Sequence, residues 1–431
     1  TTEIIALVDA IHSGMHKAKN SMAAGCERVS IGTQLISLPL YLHYWDMSTY
    51  GYWLALTALP FYLSMADAGI STASSNQMIG LITRGQNASA AEVFQSAVAF
   101  LVSVSLLILL VVGCTLQLLP ATALSAPQWK EVLMLLSFSV VLGLFCSLAE
   151  VIYKATGGYA AGTYLVTTGR LVEWAGGLTG LVLTQSFIGV ASSALLARLG
   201  YTLLSIWLSQ RRTDYLRWGV RQASWSHIKE AAAPGALFLS LSMTNALSLQ
   251  GFTLLVAATL GPTATAVFNT YRTVARIVVQ LTSALSNPLW PELTALKGRQ
   301  DDGAFWKVYR KANGLGLLIA ASGALIVYGA SPYLLEIWTH GKIEFSSTSM
   351  GLFLLYAAVC SATQVPRVVL MSINRHAGLA WQSLLAAIVS LVVAWLVWTT
   401  TGLTGVVCAM LLGEALVWLT ATRAVHNLRT T

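Results

Sequence analysis

Six polar side chains in the stretch 261–300, Asn269, Thr273, Arg276, Gln280, Ser283 and Asn287, follow one another at steps of 4, 3, 4, 3 and 4. That spacing sets them in one row along an α-helix, with Arg272 on the flank of the same face. The surrounding residues are apolar enough to cross a bilayer, where a charge at the centre costs about 3 kcal/mol on insertion scales. Two arginines on such a helix should therefore face a wet cavity or a polar partner. The chemistry open to them is charge-assisted, forked hydrogen bonding to an anion such as a phosphate, or pairing with carboxylates across a bundle. No acid lies within the same helix.

The elements that must position this row are membrane spans. Of 431 residues, 56% are hydrophobic and 10% charged, with mean hydropathy +0.68, against roughly 25% charged in soluble domains. Spans are expected at 28–46, 50–72, 96–119, 131–153, 161–184, 187–208, 231–258, 264–290, 312–331, 351–373, 379–399 and 402–422. Spans three, eleven and most of twelve are nearly pure Leu, Val, Ala and Ile and should form the lipid-facing shell. Spans one and seven carry further polar rows, Ser30, Gln34, Ser37 and Tyr41 in the first, and Ser242, Asn245, Ser248 and Gln250 in the second. Residues 1–27 show no secretory signal and read as an interfacial helix.

The formal charge of +8 could suggest nucleic acid, but the basic residues sit in short loops between spans. Eighteen of the 25 lysines and arginines fall in the N-terminal segment, the even-numbered loops or the tail, and two (Lys130, Lys342) in odd-numbered loops. By the positive-inside rule both termini are expected in the cytoplasm. The five scattered cysteines are expected to be free thiols, and no histidine pair has metal-ligand spacing. No metal and no cofactor are expected, and no GxxxxGK[ST] loop marks ATP as the direct energy source.

A shift of 216 residues lays span two on span eight, aligning Trp53, Thr57, Pro60, Ser64, Asp67 and Ser71 with the six-residue polar row. Two parallel six-span halves are expected: an N-lobe at 28–210, a basic linker at 211–230 and a C-lobe at 231–431, after the N-terminal segment 1–27.

Two runs then carry a family resemblance. Residues 34–72, QLISLPLYLHYWDMSTYGYWLALTALPFYLSMADAGIST, with a Tyr50-Gly51-Tyr52-Trp53 turn and Asp67-Ala68-Gly69 at the end of span two, form the first. The second is LLVAATLGPTATAVFNTYRTVARIVVQLTSALSNPLWPEL. Both resemble bacterial Wzx-type polysaccharide flippases of the multidrug/oligosaccharidyl-lipid/polysaccharide (MOP) exporter superfamily. The resemblance implies an all-α fold of twelve transmembrane helices in two six-helix lobes around a central cavity, working by alternating access in the bacterial inner membrane. It implies an ion-gradient-driven substrate, undecaprenyl-diphosphate-linked oligosaccharide, and as companions a polysaccharide polymerase and chain-length proteins. Lumen-facing arginines hold the diphosphate in that family, and Arg28, Arg272 and Arg276 match them by position. Span two lacks the arginine that the lipid II flippases carry there.

The expected substrate-binding set is Arg272, Arg276, Arg28, Gln280, Asn269, Gln34 and Arg198; Glu414 and Asp67 are candidates for ion coupling or a gate, and no residue is catalytic. Each has a plainer reading. Arg28 and Arg367 can snorkel from the interface, Asp67 can cap a helix, and Glu414 can be a packed, hydrogen-bonded acid. Arg170 with Glu173, and Glu150 with Lys154, read as ion pairs within a helix. Arg198 has no partner nearby in sequence and could meet Glu173 or substrate. A multidrug exporter of the same fold would favour acidic cavity residues. A polysaccharide polymerase or ligase would need a sizeable external loop, whereas 332–350 offers only Glu336, Glu344, His340 and Lys342.

Overall fold

A computed structural model of the chain describes residues 32–430 apart from Gln34, Ala68, Ala121, Ala123, Asn287, Asn374 and His376. Arg28 and, of the expected rows, Ser30, Gln34 and Asn287 thus lie outside the described residues, as do Cys26 and the interfacial helix expected at 1–27. The described chain runs through α1 (35–44), α2 (Met47–Leu63), α3 (Ile70–Thr83), α4 (Asn87–Leu118), α5 (Trp129–Ala155), α6 (Tyr159–Thr184) and α7 (Phe187–Gln210). It continues through α8 (Trp225–Ala246), a π-turn at Leu247–Gly251, α9 (Phe252–Thr259), α10 (Gly261–Ser286), α11 (Leu289–Gly298), α12 (Asp302–Thr339), α13 (Ser347–Ser372) and α14 (Ala377–Thr430). No strand occurs among the described residues. Six of the helices are long and apolar enough to cross a membrane by length and composition. This is an all-α polytopic membrane fold.

Several boundaries differ from expectation for local reasons. Span two is two helices, because α2 ends in successive i→i+3 bonds (Ser64, Met65 and Ala66 to Phe61, Tyr62 and Leu63). Gly69 then takes the left-handed backbone (φ 72°) that opens α3. Asp67 and Ser71 therefore do not extend the row of α2. Tyr50–Trp53 is not a turn but the first part of α2; the chain reverses at Trp45 and Asp46, where Asp46 accepts the Thr49 N–H at 2.9 Å. Spans eleven and twelve form one run, interrupted only at Gly402 (φ 57°, ψ −140°).

The 216-residue shift carries Asn87 to Gly303, Trp129 to Phe345, Tyr159 to Arg375 and Phe187 to Leu403. Each lands within two residues of the start of α12, α13, α14 or its post-Gly402 half. The same shift lays α3 on α11. The repeat is thus carried by element boundaries as well as by the polar row.

The chain divides into two compact units. The first comprises Leu59–Leu239 with the described residues up to Ser37; the second comprises Leu38–Ala58 and Ser240–Thr431. In the first, α4, α5 and α3 close on a core of Met78, Phe94, Leu148 and Ile152, all fully buried. In the second, the apolar face of α10 supplies Phe268, Tyr271, Val274 and Val278 to a core shared with Phe353 and Leu335. Phe353 stacks on Tyr271 with ring centres 6.0 Å apart. Residues 38–58 belong to this second unit through close contacts. Gly51 lies so near Pro262 that a Cβ there would come within 1.8 Å of its carbonyl oxygen. The Lys342 ammonium donates to the carbonyls of Leu42 and Trp45, satisfying the end of α1.

Both units expose long apolar stripes. Leu106, Leu107, Leu110 and Val111 do so on α4, and Leu385, Val392 and Leu396 on α14. These belong to spans three and eleven, the segments expected to form the shell.

Candidate functional site

Within the second unit, α8, α10, α13 and both parts of α14 enclose a cavity of about 200 Å³. Its wall carries Arg272, Arg276, Arg367 and Glu414, together with the polar groups of Asn245, Ser248, Gln364 and Ser390. Of the expected row only Arg276 lines this cavity, joined by Arg272 from its flank, and the opposite face of α10 is held in the core. Tyr271 fixes the helix there: its hydroxyl donates to the Glu344 carbonyl at 2.9 Å and accepts the Ser346 N–H at 2.7 Å.

The two arginines of the row do different things. Arg272 is buried, and its guanidinium is spent on the protein. It donates to the Leu249 carbonyl at 2.5 Å, to Thr253 Oγ1 at 2.9 Å and to Asn269 Oδ1 at 2.5 Å, and lies 4.9 Å from the centre of the Phe268 ring. The Leu249 carbonyl lies in the π-turn, where the widened ladder turns backbone oxygen toward a side chain. Asn269 is consequently a partner of Arg272, oriented by its own bond to the Thr265 carbonyl at 2.9 Å. Arg276, one turn on, is half-buried at the cavity wall and makes no hydrogen bond or ion pair among the described residues. Gln280, a turn further, is half-buried and does not line the cavity.

Two residues that admitted plainer readings complete the wall. Arg367 lines the cavity, on a row of α13 that includes Tyr356, Cys360 and Gln364. The spacing of that row, 4, 4 and 3, was a signal available in the sequence. Glu414, without a partner in its own helix, stands within hydrogen-bonding reach of Thr363 and Cys360 and in the field of Arg367. Three guanidiniums therefore meet one carboxylate in a cavity otherwise lined by neutral groups. Such a wall can hold an anion with more than one negative charge.

The remaining expected residues lie elsewhere. Arg198 belongs to the first unit, where it is 5% exposed and pairs with Glu173 at 3.2 Å. Gly143 makes room for it, since a Cβ there would sit 2.7 Å from the guanidinium. Glu173 also accepts from Ser139. The expected Arg170–Glu173 pair does not form among the described residues; the better-buried Arg198 takes that carboxylate. Glu150 and Lys154 do pair, at 3.0 Å. Asp67 lies in the first unit and accepts the Gly69 N–H at 3.1 Å, which makes it a turn-closing residue before α3.

Comparison with solved structures defines the class. The fold matches an inward-facing multidrug resistance MATE family transporter of the MOP superfamily with a TM-score of 0.72 and 14% identity, over 93% of this chain and 96% of that one. An outward-facing conformation of such a transporter matches at 0.60 and 13% identity, over 94% and 97%. A MATE structure in its straight conformation matches at 0.64 and 14%, over 96% and 97%. The chain has the MATE transporter fold. A family model described as "Polysaccharide biosynthesis protein" matches residues 48–338, and the chain belongs to that family. No curated protein matches it by sequence.

Proposed function

We propose that the protein is a flippase that moves undecaprenyl-diphosphate-linked oligosaccharide repeat units from the cytoplasmic to the outer leaflet of the bacterial inner membrane. The observation that carries this reading is the excess of guanidinium over carboxylate in the cavity of the second unit. A lipid diphosphate must exchange its hydration for equivalent partners on the way across. Arg276 and Arg367 can supply charge and forked geometry, while Asn245, Ser248 and Gln364 offer neutral hydrogen bonds to sugar or phosphate. The polyprenyl tail can remain in lipid. No bond is made or broken, so the protein acts as a transporter and not as an enzyme. Both termini would lie in the cytoplasm, as the loop charges favour. An ion gradient would drive the cycle by alternating access, with Glu414 as the candidate coupling acid because it shares the cavity with Arg367.

The solved multidrug transporters of this fold support a second reading, on fold alone. A drug exporter for organic cations would want the opposite balance of charge, so the cationic wall favours the anionic lipid. The test is reconstitution into proteoliposomes with fluorescently labelled polyprenyl-diphosphate oligosaccharide, scoring the fraction that becomes accessible on the far side. Flipping that needs the protein, and that falls more than about ten-fold in Arg276→Gln, is expected, one lost charged hydrogen bond being worth about that factor. Transport of a cationic dye with no flipping of the lipid would replace this reading with the drug exporter.

A further inference from the structure

The repeat brings a second cavity into view, at the end of the second unit where α11, α12, α13 and α14 meet. In the first unit the equivalent cleft is filled. There the linker after α7 turns back, burying Leu216 completely among Met78, Ala90, Phe94, Ile152 and Ala155. Trp218 meets Phe94 edge-on with ring centres 5.4 Å apart. Its backbone is fastened to α4, with Gln222 N–H donating to Gln95 at 2.7 Å and Ser224 N–H to Ser96 at 2.9 Å. The cleft of the first unit is an apolar socket holding an apolar plug.

The cleft of the second unit has a similar framework and a more charged lining. By the 216-residue shift, Met78 becomes Thr294, Leu81 becomes Lys297, Gln86 becomes Asp302, Thr156 becomes Ser372 and Tyr159 becomes Arg375. All five replacements line an open cavity of about 840 Å³, and Trp306 and Leu428 form its apolar edge. Lys297, in the last turn of α11, pairs at 2.8 Å with Asp302 at the start of α12. Arg375 is exposed, and its guanidinium has no hydrogen bond or ion pair among the described residues. A socket for an apolar chain segment would not be lined this way, because the plug would strand those charges. Among the described residues two cations and one anion line it, which leaves one positive charge, the complement of a single phosphodiester. A diphosphate would bring more negative charge than this cavity can match, whereas the cavity walled by α8, α10, α13 and α14 has the larger excess.

We infer that this cleft, walled by α11, α12, α13 and α14, binds the phosphodiester head group of an anionic bilayer phospholipid, held by Arg375 and Lys297 with its acyl chains leaving past Trp306 and Leu428. Basic pockets between spans at one membrane face are suited to such head groups. The site is separate from the transport cavity and does not rest on the transport reading.

The test is native mass spectrometry of the full-length protein in detergent, titrated with phosphatidylglycerol or phosphatidylcholine of identical chains, and with a short-chain polyprenyl diphosphate. Retention of phosphatidylglycerol above phosphatidylcholine is expected. Arg375→Gln should weaken it about ten-fold, the loss of one charged hydrogen bond, and Arg375→Lys by less. Arg221→Gln, the same change of charge on the exposed linker, should leave it unchanged. Arg375 is exposed, so its substitutions should not compromise folding. Equal retention of the two phospholipids, or an Arg375→Gln protein that retains phosphatidylglycerol like the unaltered one, overturns the inference. So does displacement of phosphatidylglycerol by equimolar polyprenyl diphosphate in an Arg375-dependent way, which would make the cleft a loading site for the diphosphate.

Discussion

Substituting Arg272 and Arg276 one at a time should separate a strut from a ligand, although the two residues are one turn apart on the same helix. Arg272→Gln deletes three hydrogen bonds, to Leu249, Thr253 and Asn269. At about 1.5–3 kcal/mol for a bond to a charged group, the gross loss is several kcal/mol. Removing a buried cation also returns part of its desolvation penalty, so a net destabilisation of roughly 3 kcal/mol is expected, within the usual range for breaking a buried network. An unfolding entropy of about 2.1 cal/mol/K per residue comes to roughly 0.9 kcal/mol/K for 431 residues. The melting temperature should fall by ~3 °C if the chain unfolds as one, and by about twice that if the second unit melts alone. Arg276→Gln removes no such bond and should leave the melting temperature within about 1 °C, as surface changes away from networks generally do.

Transport should order the two variants the other way. At matched membrane levels, Arg276→Gln should lose more than about ten-fold in flipping. Arg272→Gln should lose activity mainly as the protein unfolds, and recover at lower temperature. Thermal melts of detergent-solubilised protein, with flipping measured at 15 and 37 °C, give both quantities. If Arg272→Gln melts like the unaltered protein and yet fails to transport at either temperature, Arg272 is a ligand and the strut argument is wrong. If Arg276→Gln melts several degrees lower, its guanidinium has a structural partner and the assignment of the free cation fails.

Other expectations follow from the same geometry. Glu414→Gln removes the one carboxylate facing the three cavity arginines, so substrate should be held more tightly and released more slowly; unchanged half-saturation and turnover under an imposed pH gradient would exclude Glu414 from both roles. Gly51→Ala forces a Cβ against the Pro262 carbonyl and should destabilise the packing of α2 on α10 by about 1–3 kcal/mol, read as a lower melting temperature; an unchanged melt would show that α2 can shift freely. In a Cys-free background, cysteines at Ser48 and Gly341 should react with an impermeant reagent in intact cells, and those at Asp214 and Asp302 should not; the reverse pattern would invert the orientation. The Thr49 hydroxyl and N–H hold the Asp46 carboxylate below its usual range. Any stability it adds is therefore present above the ordinary aspartate pKa and lost as pH falls through the lowered one, and the difference in melting temperature between Asp46→Asn and the parent should close over that acidic interval.

The sequence was most informative where apolar length and a fixed repeat both constrained it. Among the described residues the expected spans fall largely on helices, span two being broken by the turn before Gly69, since a run of apolar residues must bond its own backbone in lipid, and the 216-residue shift lays helix starts of one half near those of the other. On α10 the same reasoning separates a packed face from a polar one, although only Arg276 of the row, with Arg272 beside it, lines the cavity. Span two shows the limit of that reasoning. Its polar row could be written on a single helix, but Gly69 and the turn before it break the helix, a choice made by backbone bonds that hydropathy does not report. The π-turn at Leu247–Gly251 was equally invisible, because nothing in LSLQG distinguishes a widened turn from a regular one until Arg272 draws on the Leu249 carbonyl. The row of Arg367 on α13 is as regular as that on α10, and it lines the same cavity.

The repeat also shows where the two units have parted. The shift that lays one on the other carries Arg198 onto Glu414, so the sixth span of each half holds a single charge at the same depth with opposite sign. In the first unit that charge is closed off: Arg198 is buried, Glu173 from the neighbouring helix neutralises it, and Gly143 admits the guanidinium at close range. In the second unit the same position faces a cavity, and the helices around it bring three arginines to one acid. Duplication would have supplied each half with the same scaffold, and a buried ion pair adds little net stability over apolar packing. Keeping a neutral pair in one half while leaving surplus positive charge in the other is a costly difference to maintain. It is explained if the surplus is matched from outside the protein, by an anion that enters the second unit and leaves again.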